Sequence, residues 1–145
     1  MSDPRYQVYP NCAGDSYALT AKVEDQTVVL RKFEPSDPNQ TWHRDENKEK
    51  GTFALVNRHI NQAVKAPDKQ GQPLRLVSVE GKSKESLPQW REVGLSDGFV
   101  SVKPVSNPTD MCWTAFDDNG VDDAVVGYKK FEQGKGNQEW KFKSF

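Results

Sequence analysis

Three tryptophans set the terms on which this chain can fold. Trp42, Trp90 and Trp140 stand 48 and 50 residues apart, and Gln40, Gln89 and Gln138 just before them stand 49 and 49 apart. The segments read Asn39-Gln40-Thr41-Trp42, Pro88-Gln89-Trp90 and Asn137-Gln138-Glu139-Trp140. Of the four tryptophans only Trp113 falls outside the series. An even period of this length marks an internal repeat, with each period one unit that needs its neighbours to cover an apolar face.

Short apolar runs recur inside each period. The first has Tyr6–Tyr9, Tyr17–Ala21 and Val28–Leu30. The second has Phe53–Val56, Ala63–Ala66 and Leu74–Val77. The third has Phe99–Val102, Cys112–Phe116 and Ala124–Tyr128. The runs are rich in β-branched and aromatic residues, several alternate with period two, and Pro, Asn, Asp and Gly separate them, which predicts strands joined by turns. No segment has helical periodicity, and the charged stretches Asp45–Lys50 and Lys82–Ser86 read as loops. Four strands in each of three units give about twelve. The prediction is all-β: a β-trefoil, one domain over 1–145, with repeats near 6–50, 51–96 and 97–145. Even spacing also assigns Trp42, Trp90 and Trp140 to the core, where large apolar rings stabilise a small domain most effectively.

Composition narrows function more than fold. Only 34% of the 145 residues are hydrophobic, so the core is lean and the surface polar. The formal charge of -1 offers no long-range attraction for a polyanion, and no basic stripe interleaved with aromatics appears, so nucleic acid is not an expected partner. No apolar run is long enough to span a membrane. The first residues lack an apolar signal core, which predicts the cytoplasm, with the nucleus open. Cys12 and Cys112 make no dense disulfide framework and read as small buried apolar residues, with a pairing between them left open. His43 and His59 have no metal-ligand spacing, and no cofactor motif is present, so neither metal nor cofactor is expected. Asn39-Gln40-Thr41 is a glycosylation acceptor sequence, but it sits in a repeated structural segment. Nothing points to an enzyme: there is no nucleophile elbow or phosphate loop, and Asp117 and Asp118, being adjacent, point apart on a strand.

The three Gln-Trp segments resemble those of the ricin-B-type β-trefoil lectins. Phe53-Ala54-Leu55-Val56-Asn57, Pro73-Leu74-Arg75-Leu76-Val77 and Asn137-Gln138-Glu139-Trp140-Lys141 resemble blocks of the Euonymus-lectin-like plant domain. The resemblance runs from about Tyr6 to Phe142. It implies non-catalytic binding of glycans or glycoproteins, mannose- or galactose-containing, in a plant protein acting inside the cell in stress responses. A homodimer stays open.

A shallow sugar site needs polar side chains for the ring hydroxyls and an aromatic face for the C–H side. The third repeat offers both. Asp117 and Asp118 follow its second strand, and Asn137 and Gln138 precede Trp140. Tyr128 stands nine residues before Asn137, the separation of the aromatic platform in ricin-type sites. Trp113 and Phe131 are placed to flank. The predicted carbohydrate-binding set is therefore Asp117, Asp118, Tyr128, Asn137, Gln138 and Trp113. The first repeat has Leu30 at the platform position, and the second lacks the asparagine, so one principal site is expected. The alternative reading is a protein-binding β-trefoil with a degenerate sugar site.

Overall fold

The computed structural model describes residues 4–105, 110–117 and 122–145. Among the described residues there are twelve strands, nine of them from the apolar runs, and no α-helix. The first repeat holds β1 (Tyr6–Pro10), β2 (Tyr17–Lys22), β3 (Thr27–Lys32) and β4 (His43–Asn47). The second holds β5 (Thr52–Asn57), β6 (Gln62–Lys65), β7 (Arg75–Ser78) and β8 (Trp90–Gly94). The third holds β9 (Val100–Pro104), β10 (Met111–Ala115), β11 (Ala124–Lys130) and β12 (Trp140–Ser144).

The first and fourth strands of the repeats close a six-stranded barrel. Three antiparallel pairs, β4–β5, β8–β9 and β12–β1, run five residues each. Three short junctions join them, and each is made at one of the repeated tryptophans: Trp42 with Tyr6, Trp90 with Phe53 and Trp140 with Val100. The barrel thus has no free edge. The hairpins β2–β3, β6–β7 and β10–β11 cap one end and are tied to one another by backbone bonds. Leu76 N donates to Gln26 O (2.9 Å), Leu74 N to Val126 O (2.9 Å) and Asp123 N to Leu30 O (2.7 Å). This is a β-trefoil.

Trp42, Trp90 and Trp140 have 0%, 1% and 0% of their surface exposed. A buried indole N–H needs an acceptor. Each finds one on the second strand of its own repeat: Leu19 O at 2.8 Å, Val64 O at 2.9 Å and Trp113 O at 3.0 Å. The same bond made three times fixes cap to barrel. It also shows what Trp113 is. Trp113 occupies the position of Leu19 and Val64, is fully buried, and packs edge-on against Trp90 (5.2 Å between centroids) and Trp140 (5.9 Å). The expectation that Trp113 flanks a sugar is therefore corrected: strand alternation turns its ring to the core.

The charged stretch after Trp42 is likewise no simple loop. His43–Asn47 is β4, paired with β5 from His43↔Val56 to Asn47↔Thr52. Its backbone partners come from the barrel, so it needs no apolar pattern of its own. Arg44 packs under the barrel with its guanidinium 3.9 Å from the Phe53 ring centroid and 4.6 Å from that of Phe142, and pairs with Glu46 (3.0 Å) and Glu92 (3.1 Å).

Cys12 and Cys112 are both free thiols. Burial pushes the Cys112 thiol from 9.0 up to about 11, against the opposing pull of Thr114 Oγ1 4.0 Å from its sulfur. Burial also raises Tyr128 from 10.0 to about 12. Unfolding returns both acids to their ordinary ranges, so the unfolded chain sheds these protons at lower pH than the folded one. Their contribution is fully present below pH 9.0 and is lost as pH rises toward about 12. Urea midpoints measured from pH 8 upward should fall across that window. In the native protein at neutral pH, maleimide should leave Cys112 unmodified until denaturant is added.

Candidate functional site

In the third repeat a 3-10 turn, Gly136–Gln138, sets Asn137 and Gln138 beside the cap hairpin. Gln138 is 3% exposed and its amide is spent inside. Its Oε1 accepts from Glu132 N (2.8 Å), and its Nε2 donates to Lys130 O (2.9 Å) and Thr114 Oγ1 (3.2 Å). Gln40 repeats the set with Glu34 N (2.8 Å), Lys32 O (2.8 Å) and Thr20 Oγ1 (3.2 Å). The same clip in two repeats gives Gln138 a structural role, and both its N–H groups already have acceptors, while the residue also lines the hollow of the third repeat. Asn137 differs. It is half-buried, its Nδ2 donates to Ala115 O (2.9 Å), and that single anchor orients the remaining amide oxygen.

Strand register decides which aromatic faces the same hollow. Cross-strand partners share a face, and β10 pairs with β11 as Trp113↔Tyr128, Thr114↔Gly127 and Ala115↔Val126. Tyr128 therefore lies on the Trp113 side and packs partly buried against the core. Leu30 and Leu76 hold the same position opposite Leu19 and Val64. The expectation of Tyr128 as platform is corrected for this reason: counting back from Asn137 lands on a strand position of the wrong parity, and an odd offset exchanges faces. The other face carries Thr114, Phe116, Gly127 and Lys129. Thr114, Phe116 and Lys129, with Asn137, Gln138, Lys130, Glu132, Lys135 and Gln70, line a hollow of 460 Å³, and Gly127 lies against the Phe116 ring.

Phe116 is the aromatic that the sequence reading passed over. Its ring lies on Gly127, where an added Cβ would come within 2.2 Å of Phe116 Cζ and 2.4 Å of Gln72 O. Lys129 Nζ stands 4.9 Å from the ring centroid. The signal was available: Cys112–Phe116 alternates, with Trp113 and Ala115 on one face and Thr114 and Phe116 on the other, and a glycine sits on the facing strand. Gly127→Ala should destabilise the fold by about 1–3 kcal/mol through overpacking, because one of the two obstructions is backbone. Thermal denaturation of the variant checks this. Asp117 directly follows Phe116 and is half-buried, but it does not line the hollow. Asp118 lies outside the described residues.

The other repeats lack this arrangement. In the first, Arg31 takes the place of Lys129 and is held by Asp123 (2.6 Å), while Lys32 N donates to Asp122 (3.0 Å). The resulting 340 Å³ hollow is walled by charged side chains and Gln40, with no aromatic. In the second, Leu87 stands three residues before Trp90, as Asn137 does before Trp140, and is 6% exposed against Ala54, Val56 and Ala63. Among the described residues, no group of three or more His, Cys, Asp or Glu is arranged to hold a metal.

No protein-family model matches the chain. A ricin B-like lectin of rice (Oryza sativa subsp. japonica) is 32% identical over 155 residues, covering 97% of this chain and 44% of the rice protein. A second rice ricin B-like lectin is 34% identical, covering 72% of this chain and 54% of that protein. Ricin B-like lectin EULS3 of Arabidopsis thaliana is 32% identical, covering 66% of this chain and 32% of its own length. The chain thus spans about half, or less, of the curated relatives it matches. Among solved structures, the designed threefold-symmetric protein ThreeFoil superposes with a TM-score of 0.77 at 22% identity, covering 97% of this chain and 99% of that one. The Macrolepiota procera ricin B-like lectin, solved in complex with lactose, gives 0.77 at 13% identity over 99% and 97% of the two chains. At such identities the structural likeness concerns the fold. Together with the repeated Gln-Trp segments, the sequence relatives show that the chain belongs to the plant ricin B-like lectins, as a β-trefoil of the Euonymus-lectin-like type.

Proposed function

We propose that this chain is a non-catalytic carbohydrate-binding domain whose principal sugar site is the hollow of the third repeat. The observation that carries the reading is the pairing of Phe116 with Asn137 on one face of the β10–β11 hairpin, a combination absent from the other two repeats. The Phe116 ring, with Gly127 against it, offers a fixed surface for the C–H side of a sugar ring. Asn137, anchored through one N–H, presents an amide acceptor to the hydroxyls. Lys129 adds a donor beside the ring, and Asp117 stands next in the chain to Phe116, where a larger glycan would reach it. The lectin relatives support the ligand class.

A single shallow site binds modestly, and strength would come from repeated sugars on one scaffold. The test is a panel of mannose- and galactose-containing glycans presented at high density to wild type and to Phe116→Ala. Binding by wild type that the variant loses supports the site. Binding that survives in the variant moves the site elsewhere, and no binding to any glycan removes the lectin reading.

A further inference from the structure

We propose that the third-repeat hollow takes an acidic sugar, one whose ring carries a carboxylate or a sulfate ester, in preference to its neutral counterpart. The inference rests on the reading of that hollow as the sugar site and adds the charge of the ligand to it. Among the described residues, its lining brings Lys129, Lys130 and Lys135 together with one carboxylate, Glu132. The chain as a whole has 20 basic residues and 21 acidic ones, so this excess of positive charge is local. Among the described residues none of the three lysines makes an ion pair, with Glu132 or any other acid. Lys129 instead rests by the Phe116 ring, its Nζ 4.9 Å from the centroid. Asp117 does not line the hollow, and Asp118 lies outside the described residues.

The first repeat shows that the excess does not come with the fold. With Gln40 set on Gln138, Arg31, Lys32, Glu34 and Asp37 take the places of Lys129, Lys130, Glu132 and Lys135. The hollow there is lined by Glu34, Asp37, Asp122 and Asp123 against Arg31 and Lys32, and Asp123 neutralises Arg31 at 2.6 Å. Two changes reverse the sign in the third repeat. The neighbouring segment that closes the hollow brings two aspartates in the first repeat and the neutral amide of Gln70 in the third. Gln70 sits on the β6–β7 connection, which is fastened across β11 by Gly71 N donating to Tyr128 O (2.7 Å) and Leu74 N to Val126 O (2.9 Å). Asp68 on the same connection does not line the hollow. The second change is Lys135 itself. Its counterpart Asp37 caps the turn Pro38–Gln40 by accepting from Asn39 N (2.9 Å), whereas Lys135 opens Gly136–Gln138 with no side-chain cap. A lysine at that position forfeits a capping bond, and departures from local preference of this kind gather at functional sites. An ammonium bonded to an anion makes a hydrogen bond about twice as strong as a neutral pair does, which a plain sugar hydroxyl cannot match.

The test presents galactose and mannose at equal high density, each as the neutral sugar, the C6 carboxylate and the 6-sulfate. Wild type should hold the acidic forms about tenfold tighter than the neutral ones at low salt, with the gap narrowing as salt rises. In the Lys129→Gln/Lys135→Gln double variant the ratio of acidic to neutral binding should fall to about one. Whichever acidic form wild type holds tighter names the source of the charge. Both side chains are exposed, so the variant should keep its fold, which its urea midpoint checks. Lys48→Gln/Lys50→Gln removes the same charge from a different cleft and should keep the wild-type ratio. Equal binding of neutral and acidic forms by wild type overturns the inference and leaves the sugar site standing. A ratio that survives the loss of Lys129 and Lys135, or that the Lys48/Lys50 variant loses equally, overturns it as well. Absence of binding to every conjugate removes the sugar site itself.

Discussion

Trp140→Ala should lower the stability of the folded chain by about 3–5 kcal/mol, the range for emptying a large aromatic site in a packed core. Three separate losses meet at this residue. Its ring has no exposed surface and packs edge-on to Trp113, which in turn packs on Trp90, so the cavity opens at the centre of the aromatic cluster. Its Nε1 no longer donates to Trp113 O, leaving a buried carbonyl short of a partner. Its backbone also forms the junction of β12 with β9 at Val100, where the barrel closes through one residue pair. Domains of this size hold only about 5–15 kcal/mol in all, so the variant should unfold at a sharply lower urea concentration or fail to accumulate. Trp42→Ala should cost less, since Trp42 makes its indole bond to Leu19 O but stands outside the Trp90–Trp113–Trp140 cluster. Equal midpoints for the two variants would show that the cluster adds nothing beyond burial.

The same tryptophans explain why the architecture is legible in the sequence. A residue that does one job three times must recur at one period, and each of these closes a barrel junction and clips a hairpin. Polar residues carry the pattern too, since Gln40 and Gln138 make matching sets of hydrogen bonds. The pattern fades where backbone pairing does the work. β4 shows no apolar alternation because β5 supplies its partners and its polar side chains are mostly half-buried.

The site is harder to read, for two physical reasons. Residue type does not reveal facing. Trp113 suggested a flanking aromatic, yet it fills the position that Leu19 and Val64 fill in the other repeats. Distance along the chain does not reveal facing either. The nine-residue count that selected Tyr128 also lands on Leu30, and Leu30 is fully buried. That parallel implied a core position. Phe116 escaped notice because its role depends on Gly127 across the hairpin, a relation visible only once β10 and β11 are in register.

Asn137→Ala should weaken glycan binding by about ten- to a hundredfold, the loss of one or two directional hydrogen bonds in a shallow site. The side chain's own anchor makes this a test of place as well as chemistry. Removing the amide also deletes the bond to Ala115 O, at a cost of about 1 kcal/mol in stability, which a denaturation curve separates from the binding effect. The matched control is Asn39→Ala. Asn39 holds the same place in the turn of the first repeat, but its Oδ1 is buried and meets no hydrogen-bond partner, so it cannot greet a ligand from solvent. The neighbouring hollow is crossed by the Arg31–Asp123 pair. Wild-type binding should therefore survive Asn39→Ala. If both variants lose affinity equally, the sugar contacts are shared between repeats. If only Asn39→Ala loses it, the principal site lies in the first repeat, and the supported ring of Phe116 is packing rather than platform.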